Sequence, residues 1–133
     1  MIYIDIYSPK YNMRMWLVNP KLMCDKHLLG EHVELHMLVG SLNKSKNIEG
    51  FIKKGLIETS KINSRHKEIV KEMLSRGFKH QSNLPKFKHK NQGSVNKVKS
   101  LEELMKRCKR CKEKINKNKK KYYCPPFSCK ILN

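Results

Sequence analysis

Between Asp25 and Leu42 the chain carries Leu28, Leu29, Val33, Leu35, Leu38, Val39 and Leu42, spaced so that a helix gathers them on one broad face. So many large apolar side chains cannot be left in water, so the segment predicts a helix starting near Asp25 and buried against other elements. A second helix is predicted from Asn63 or Ser64 through Ile69, Val70, Met73 and Leu74. It should stop at Gly77, after Arg76, where glycine can take the left-handed conformation that closes a helix. A third is predicted from Ser100-Leu-Glu-Glu103, a capping box in which hydroxyl and carboxylate satisfy helix-end amides. Its inner stripe is Leu101, Leu104, Met105, Cys108 and Ile115. Phe51 to Ile57, closed by Gly55, is a shorter segment of open type. Ile2, Ile4 and Ile6 alternate with Tyr3, Asp5 and Tyr7 before Ser8-Pro9, which suits a short strand or a loose arm.

The fold class expected is therefore all-α: a small single-domain bundle of about three main helices with long loops, an optional N-terminal strand and a basic C-terminal tail. The expected divisions are an extension at 1–12, a helical core at 13–80, a basic linker at 81–99, and a basic helix with a Cys and aromatic tail at 100–133. No internal repeat is visible, which excludes a solenoid.

Charge narrows the partner. In 133 residues, Lys and Arg number 30 against 11 Asp and Glu, a formal net charge of +19 that repels itself unless an anion neutralises it. Residues 1–50 hold 6 basic and 5 acidic side chains, and residues 51–133 hold 24 and 6. Nucleic acid is the natural partner, held mainly by the second part. No run approaches the roughly 18 apolar residues of a membrane span, the opening lacks a signal-peptide pattern, and five cysteines suit reduced thiols. An intracellular protein of cytoplasm, nucleus or viral factory is expected, acting as a monomer.

Titratable groups interrupt the first helix. His27, Glu31 and Glu34 fall on one face, and His32 and His36 share another, four residues apart. The histidines read either as a solvated face or, with a carboxylate, as zinc ligands, although no HExxH arrangement exists. Near the C-terminus, Cys108, Cys111, Cys124 and Cys129 have spacing that could close a structural zinc site and staple the tail, against a reading as buried or free thiols. Cys24 is assigned to the core.

The stretch Met13-Arg-Met-Trp-Leu-Val-Asn-Pro20, then Asp25-Lys-His-Leu-Leu-Gly-Glu31-His-Val-Glu34-Leu-His36, Gly40, and Ser64-Arg-His through Leu74-Ser-Arg-Gly-Phe78 resembles the pyrimidine-dimer DNA glycosylase family. A weaker echo lies at Lys121-Tyr122-Tyr123. The resemblance implies a mainly helical glycosylase and abasic-site lyase that needs no cofactor. It implies an N-terminal α-amine attacking C1' of the damaged nucleotide, forming an imine and permitting β-elimination. The family's catalytic glutamate maps onto Glu34, with Arg14, His27 and Glu31 in the same pocket.

Two departures matter. The family's arginines flanking the glutamate are replaced by Val33 and Met37, so phosphate gripping is expected from His32, His36, Arg65, Arg76 and the tail with Lys121, Tyr122 and Tyr123. The matching N-terminus falls at Met13, after twelve further residues, and an amide nitrogen there cannot form an imine. A start at Met13 is the expectation, against an amine supplied by Met1 or a lysine. The alternative class is a noncatalytic nucleic-acid-binding protein whose zinc-stapled tail does the binding.

Overall fold

The computed structural model describes residues 13–80, 82–88 and 91–118. These form α1 (Asp25–Asn43), α2 (Glu49–Lys53), α3 (Ile62–Ser75), α4 (Lys97–Arg107) and α5 (Lys109–Lys117), with 3-10 turns at Pro20–Leu22 and Thr59–Lys61. The fold is mainly α, with no strand among the described residues. The alternating segment at 2–6 and the tail with Lys121, Tyr122, Tyr123, Cys124 and Cys129 lie outside them.

α1 packs along α3, α4 folds against α5, and α5 reaches the Pro20–Leu22 turn. Leu28, Leu35, Leu38 and Val39 of α1 meet Ile62, Ile69 and Met73 of α3, while Leu101, Leu104, Cys111 and Ile115 close the same core from α4 and α5. A helix as short as α5 is marginal in isolation, so burying Cys111 and Ile115 is what holds it. The expected apolar faces are wider than the buried ones. Val33 is 37% and Leu74 56% exposed, because each lies at the flank of a stripe only as wide as the neighbouring helix covers.

Residues 13–24 lack helical periodicity, yet Met15, Trp16, Leu22 and Met23 are all buried. This irregular stretch is tied backbone to backbone, Met15 N–H donating to the Leu56 carbonyl at 2.7 Å. The Trp16 carbonyl accepts from the Ser100 hydroxyl at 2.5 Å. That bond corrects the expected capping box. α4 begins earlier, at Lys97, capped by Asn96 accepting from Lys99 N–H at 3.0 Å, and Ser100 is buried one turn inside. Glu103 instead pairs with Arg107 at 2.7 Å. The expected third helix is also broken, because Cys108 is extended (φ −131°, ψ 110°) between α4 and α5.

Gly77 closes α3 as its sequence position requires: φ is +87°, and Phe78 N–H donates back to the Met73 carbonyl at 2.9 Å. The segment after it is pinned further on, where Gln92 N–H donates to Thr59 Oγ1 at 2.8 Å and Val95 N–H to Glu58 Oε1 at 2.9 Å. Gly93, at φ +80°, lies so close to the Ile57 carbonyl that a Cβ would sit 2.2 Å from its oxygen.

Candidate active site

α1 carries its carboxylates at Glu31 and Glu34 to opposite fates. Glu31 is fully buried and receives the guanidinium of Arg65 from α3 in a two-point bond, Nε to Oε2 at 2.6 Å and Nη2 to Oε1 at 2.9 Å. Arg65 is itself 1% exposed and its Nη1 donates to the Val18 carbonyl at 2.6 Å. A bidentate pair with its remaining donors satisfied is the arrangement in which buried charges are tolerated. Arg65 was expected to grip phosphate and Glu31 to line the lesion pocket. The structure buries both against each other, where the pair locks α1 to α3 and to the 13–24 segment.

Glu34, one turn further along the same face, is half-buried and has no such cation. Its carboxylate accepts a hydrogen bond from the Arg14 backbone N–H. Burial pushes its pKa up from 4.5 to about 8, with the negative charge of Glu31 adding to the rise and Arg14 opposing it. At neutral pH this group mostly holds its proton, as a carboxyl poised for acid and base work does. Met13, immediately before Arg14, is buried at 6% exposure.

The Arg14 side chain leaves this point across the face of Trp16, its guanidinium carbon 3.8 Å from the ring centroid. Its Nε is buried with no hydrogen-bond partner. Partial burial and the nearby Arg107 charge lower its pKa. Arg14 lines a cleft of roughly 430 Å3 together with Lys53 and Lys54 from the end of α2, and Lys99 and Arg107 from α4. Glu103 is the acidic residue in that lining. Arg14 thus connects the Glu34 carboxylate to a cleft rich in cations. Sequence reasoning missed these four residues, since no spacing pattern links Lys53 to Arg107.

The remaining expected contacts have other settings. Arg76 bonds Glu72 Oε2 at 2.8 Å, Asp25 Oδ1 at 2.9 Å and the Pro20 carbonyl at 2.9 Å, and so ties the end of α3 to the start of α1. His32 and His36 do not point to solvent. They join His66 of α3 and His80 in a cluster with ring centroids 4.8 to 5.3 Å apart. Burial and neighbouring rings hold His32 and His66 down at about 4, so neither is cationic at neutral pH and neither suits a phosphate.

His27 sits edge-on to Trp16 at 5.9 Å, with Nδ1 3.2 Å from Cys24 Sγ. Cys24 is buried as expected but is not set apart from the other thiols: its Sγ is 3.7 Å from Cys108 Sγ, and its N–H donates to Cys111 Sγ at 3.2 Å. Two groups of four side chains therefore have metal-ligand character among the described residues: Cys24, His27, Cys108 and Cys111, and the four histidines.

The comparisons with known proteins address the same region. No curated protein and no solved structure matches the chain. A family model described as pyrimidine dimer DNA glycosylase matches residues 13–86, more than half of the 133, beginning at the methionine beside Arg14 and containing all of α1, α2 and α3. With a raised-pKa glutamate on α1 and a cationic cleft beside it, the chain belongs to the pyrimidine dimer DNA glycosylase family and with it to the DNA repair glycosylases.

Proposed function

We propose that this protein excises ultraviolet pyrimidine dimers from double-stranded DNA and nicks the resulting abasic strand, with the α-amine of Met13 as nucleophile and Glu34 as its acid-base partner. The observation that carries the reading is the bond from Arg14 N–H to the Glu34 carboxylate. A chain whose first residue is Met13 would hold its amine one residue from that carboxylate. An α-amine has an ordinary pKa of about 7.7–8.0, and Glu34 titrates at about 8, so a proton passes between them at little cost.

The neutral amine attacks C1' and the glycosidic bond breaks, the base leaving with the bonding pair. The nitrogen gives up a proton to Glu34 in the fraction of molecules whose carboxyl is ionised, a minority at neutral pH and half at about pH 8. Protonated Glu34 can return it to the sugar ring oxygen as the ring opens to the imine. Glu34, ionised again, then takes a C2' proton, and the electron pair left behind expels the 3' phosphate by β-elimination. The chemistry requires only an amine and a carboxyl, hence no cofactor. Arg14, Lys53, Lys54, Lys99 and Arg107 hold the phosphates flanking the lesion, while Lys121, Tyr122 and Tyr123 add charge and stacking surfaces. Reaching C1' requires displacing a base, which costs a few kcal/mol and least at a poorly stacked lesion. The protein acts as an intracellular monomer.

Borohydride trapping on irradiated duplex, followed by peptide mass mapping, tests the reading. A covalent adduct on Met13 is expected, with nicking of irradiated but not unirradiated plasmid. An adduct on Met1 or on a lysine overturns the assigned nucleophile, and binding without damage-dependent nicking overturns the activity.

A further inference from the structure

α4 and α5 are separated by a break at Cys108 that neither proline nor glycine explains, since Lys106-Arg-Cys-Lys-Arg-Cys-Lys112 contains neither. A helix that surrenders its continuity needs a compensating interaction. Extending the backbone at Cys108 turns its sulfur toward the start of α1, where Cys24, His27 and Cys111 offer their donor atoms. All four donors lie within 4.8 Å of one another.

We infer that Cys24, His27, Cys108 and Cys111 bind a structural zinc ion that clamps the α4/α5 break onto the start of α1. The sequence carries the pairs as Cys24-x2-His27 and Cys108-x2-Cys111, each spanning the short reach zinc pairs use. Zinc–sulfur bonds of about 2.3 Å at a tetrahedral angle put sulfurs about 3.8 Å apart, and Cys24 Sγ to Cys108 Sγ is 3.7 Å. That separation is far beyond a disulfide of about 2.05 Å. Backbone amides of Cys24 and Cys111 donate to the sulfurs of Cys111 and Cys108 at 3.2 and 3.4 Å, as outer-shell donors steady thiolates. Four protein ligands leave no open coordination position, so the ion is structural. The ligand set thus differs from a tail staple: Cys24 and His27 take two of the places, and His27 faces the metal with Nδ1.

A different observation carries a second site. The Nε2 atoms of His32, His36, His66 and His80 are all buried without a hydrogen-bond partner. One unsatisfied buried nitrogen is uncommon, and four converging ones call for a ligand. One donor atom from each ring lies within 4.8 Å of the others, and the Ser82 backbone hydrogen-bonds the rings of His36 and His66 in the manner that orients metal-ligating imidazoles. The four rings assemble a second zinc site, joining the middle of α1 to α3 and to the chain beyond Gly77. Both ions would brace the helix that bears Glu34, one at its first turn through His27 and the other at its middle through His32 and His36.

Metal content is read without DNA, so these sites stand or fall apart from the nicking assay. The full chain, purified without a nickel column or chelator and dialysed against zinc before removal of the excess, is measured for zinc by plasma emission. Two ions per chain are expected. X-ray absorption at the zinc edge of the same sample should show sulfur neighbours near 2.3 Å and nitrogen neighbours near 2.0–2.1 Å. Cys108→Ser and His66→Asn should each remove one ion and leave the other. No retained zinc overturns both sites. One zinc with sulfur neighbours overturns the histidine site, and one zinc with only nitrogen or oxygen neighbours overturns the cysteine site. The absorption measurement on the unaltered chain decides the matter even where a variant fails to fold.

Discussion

Replacing Glu34 by Gln should remove catalysis and, with it, a pH-dependent burden on stability. In the unfolded chain Glu34 ionises around its ordinary 4.5, whereas in the folded protein it ionises at about 8. Between those values the folded state binds the extra proton, so stability contributed through this group falls as pH rises from 4.5 toward 8 and is flat outside that window. A shift spanning that interval corresponds to a ceiling of about 5 kcal/mol above pH 8 and about 3 kcal/mol at pH 7, at roughly 1.4 kcal/mol per unit. Water reaching a half-buried carboxyl reduces this, and about 1–3 kcal/mol is the realistic range. Gln keeps an oxygen to accept from Arg14 N–H and cannot ionise.

The variant should therefore match the wild type in urea unfolding near about pH 5 and exceed it by about 1–3 kcal/mol near about pH 9. Taking the difference between the two proteins cancels the titrating groups that do not interact with Glu34. Urea midpoints followed by circular dichroism across this range supply the measurement. A stability difference that does not change with pH would refute the reasoning, because the Glu34 pKa would then be the same in the folded and unfolded chain. In parallel, the variant should bind irradiated duplex while damage-dependent nicking is lost; nicking at the wild-type rate would remove Glu34 from its role.

Glu31→Gln leaves the buried Arg65 guanidinium with only the longer anionic contact to exposed Glu68 at 3.5 Å and should cost about 3–5 kcal/mol by urea unfolding; a loss under about 1 kcal/mol would show that the pair is not closed to water. Glu31→Leu with Arg65→Met should restore part of that loss, since neither charge is then stranded. Lys53→Gln with Lys54→Gln should weaken binding to damaged and undamaged duplex alike and flatten the log–log salt dependence by about 1–2 units, and an unchanged slope would take the cleft out of phosphate binding. Gly93→Ala should destabilise by about 1 kcal/mol or more, from a left-handed backbone and a collision with the Ile57 carbonyl. An unchanged melting midpoint would mean that the 91–95 segment moves aside without loss.

The parts of the molecule legible in the sequence are those set by local repetition. Leu28, Leu35, Leu38 and Val39 recur at helical spacing, and α1 is buried along them. Arg76-Gly77 marked the end of α3 because only the glycine readily takes φ +87°. The family itself was legible through the pattern around Glu34, and the family model covers the same stretch from Met13. The capping box failed because Ser100 had a competing partner, the Trp16 carbonyl, 84 residues away in sequence.

That failure has the same physical cause as the others. Periodicity reports that a face is buried, but it carries no record of which distant face covers it. The sequence by itself determined a basic, mainly helical chain with a carboxylate-bearing first helix and two cysteine or histidine motifs awaiting partners. Tertiary packing decided the rest. It gave Glu31 to Arg65, 34 residues on, and left Glu34 without a guanidinium bonded to its carboxylate, which separates their protonation. It drew Cys24 to Cys111 across 87 residues and collected four histidines from three segments. Ionisation and metal affinity depend on burial and on neighbours within a few ångströms, and those distances exist only once the chain has folded.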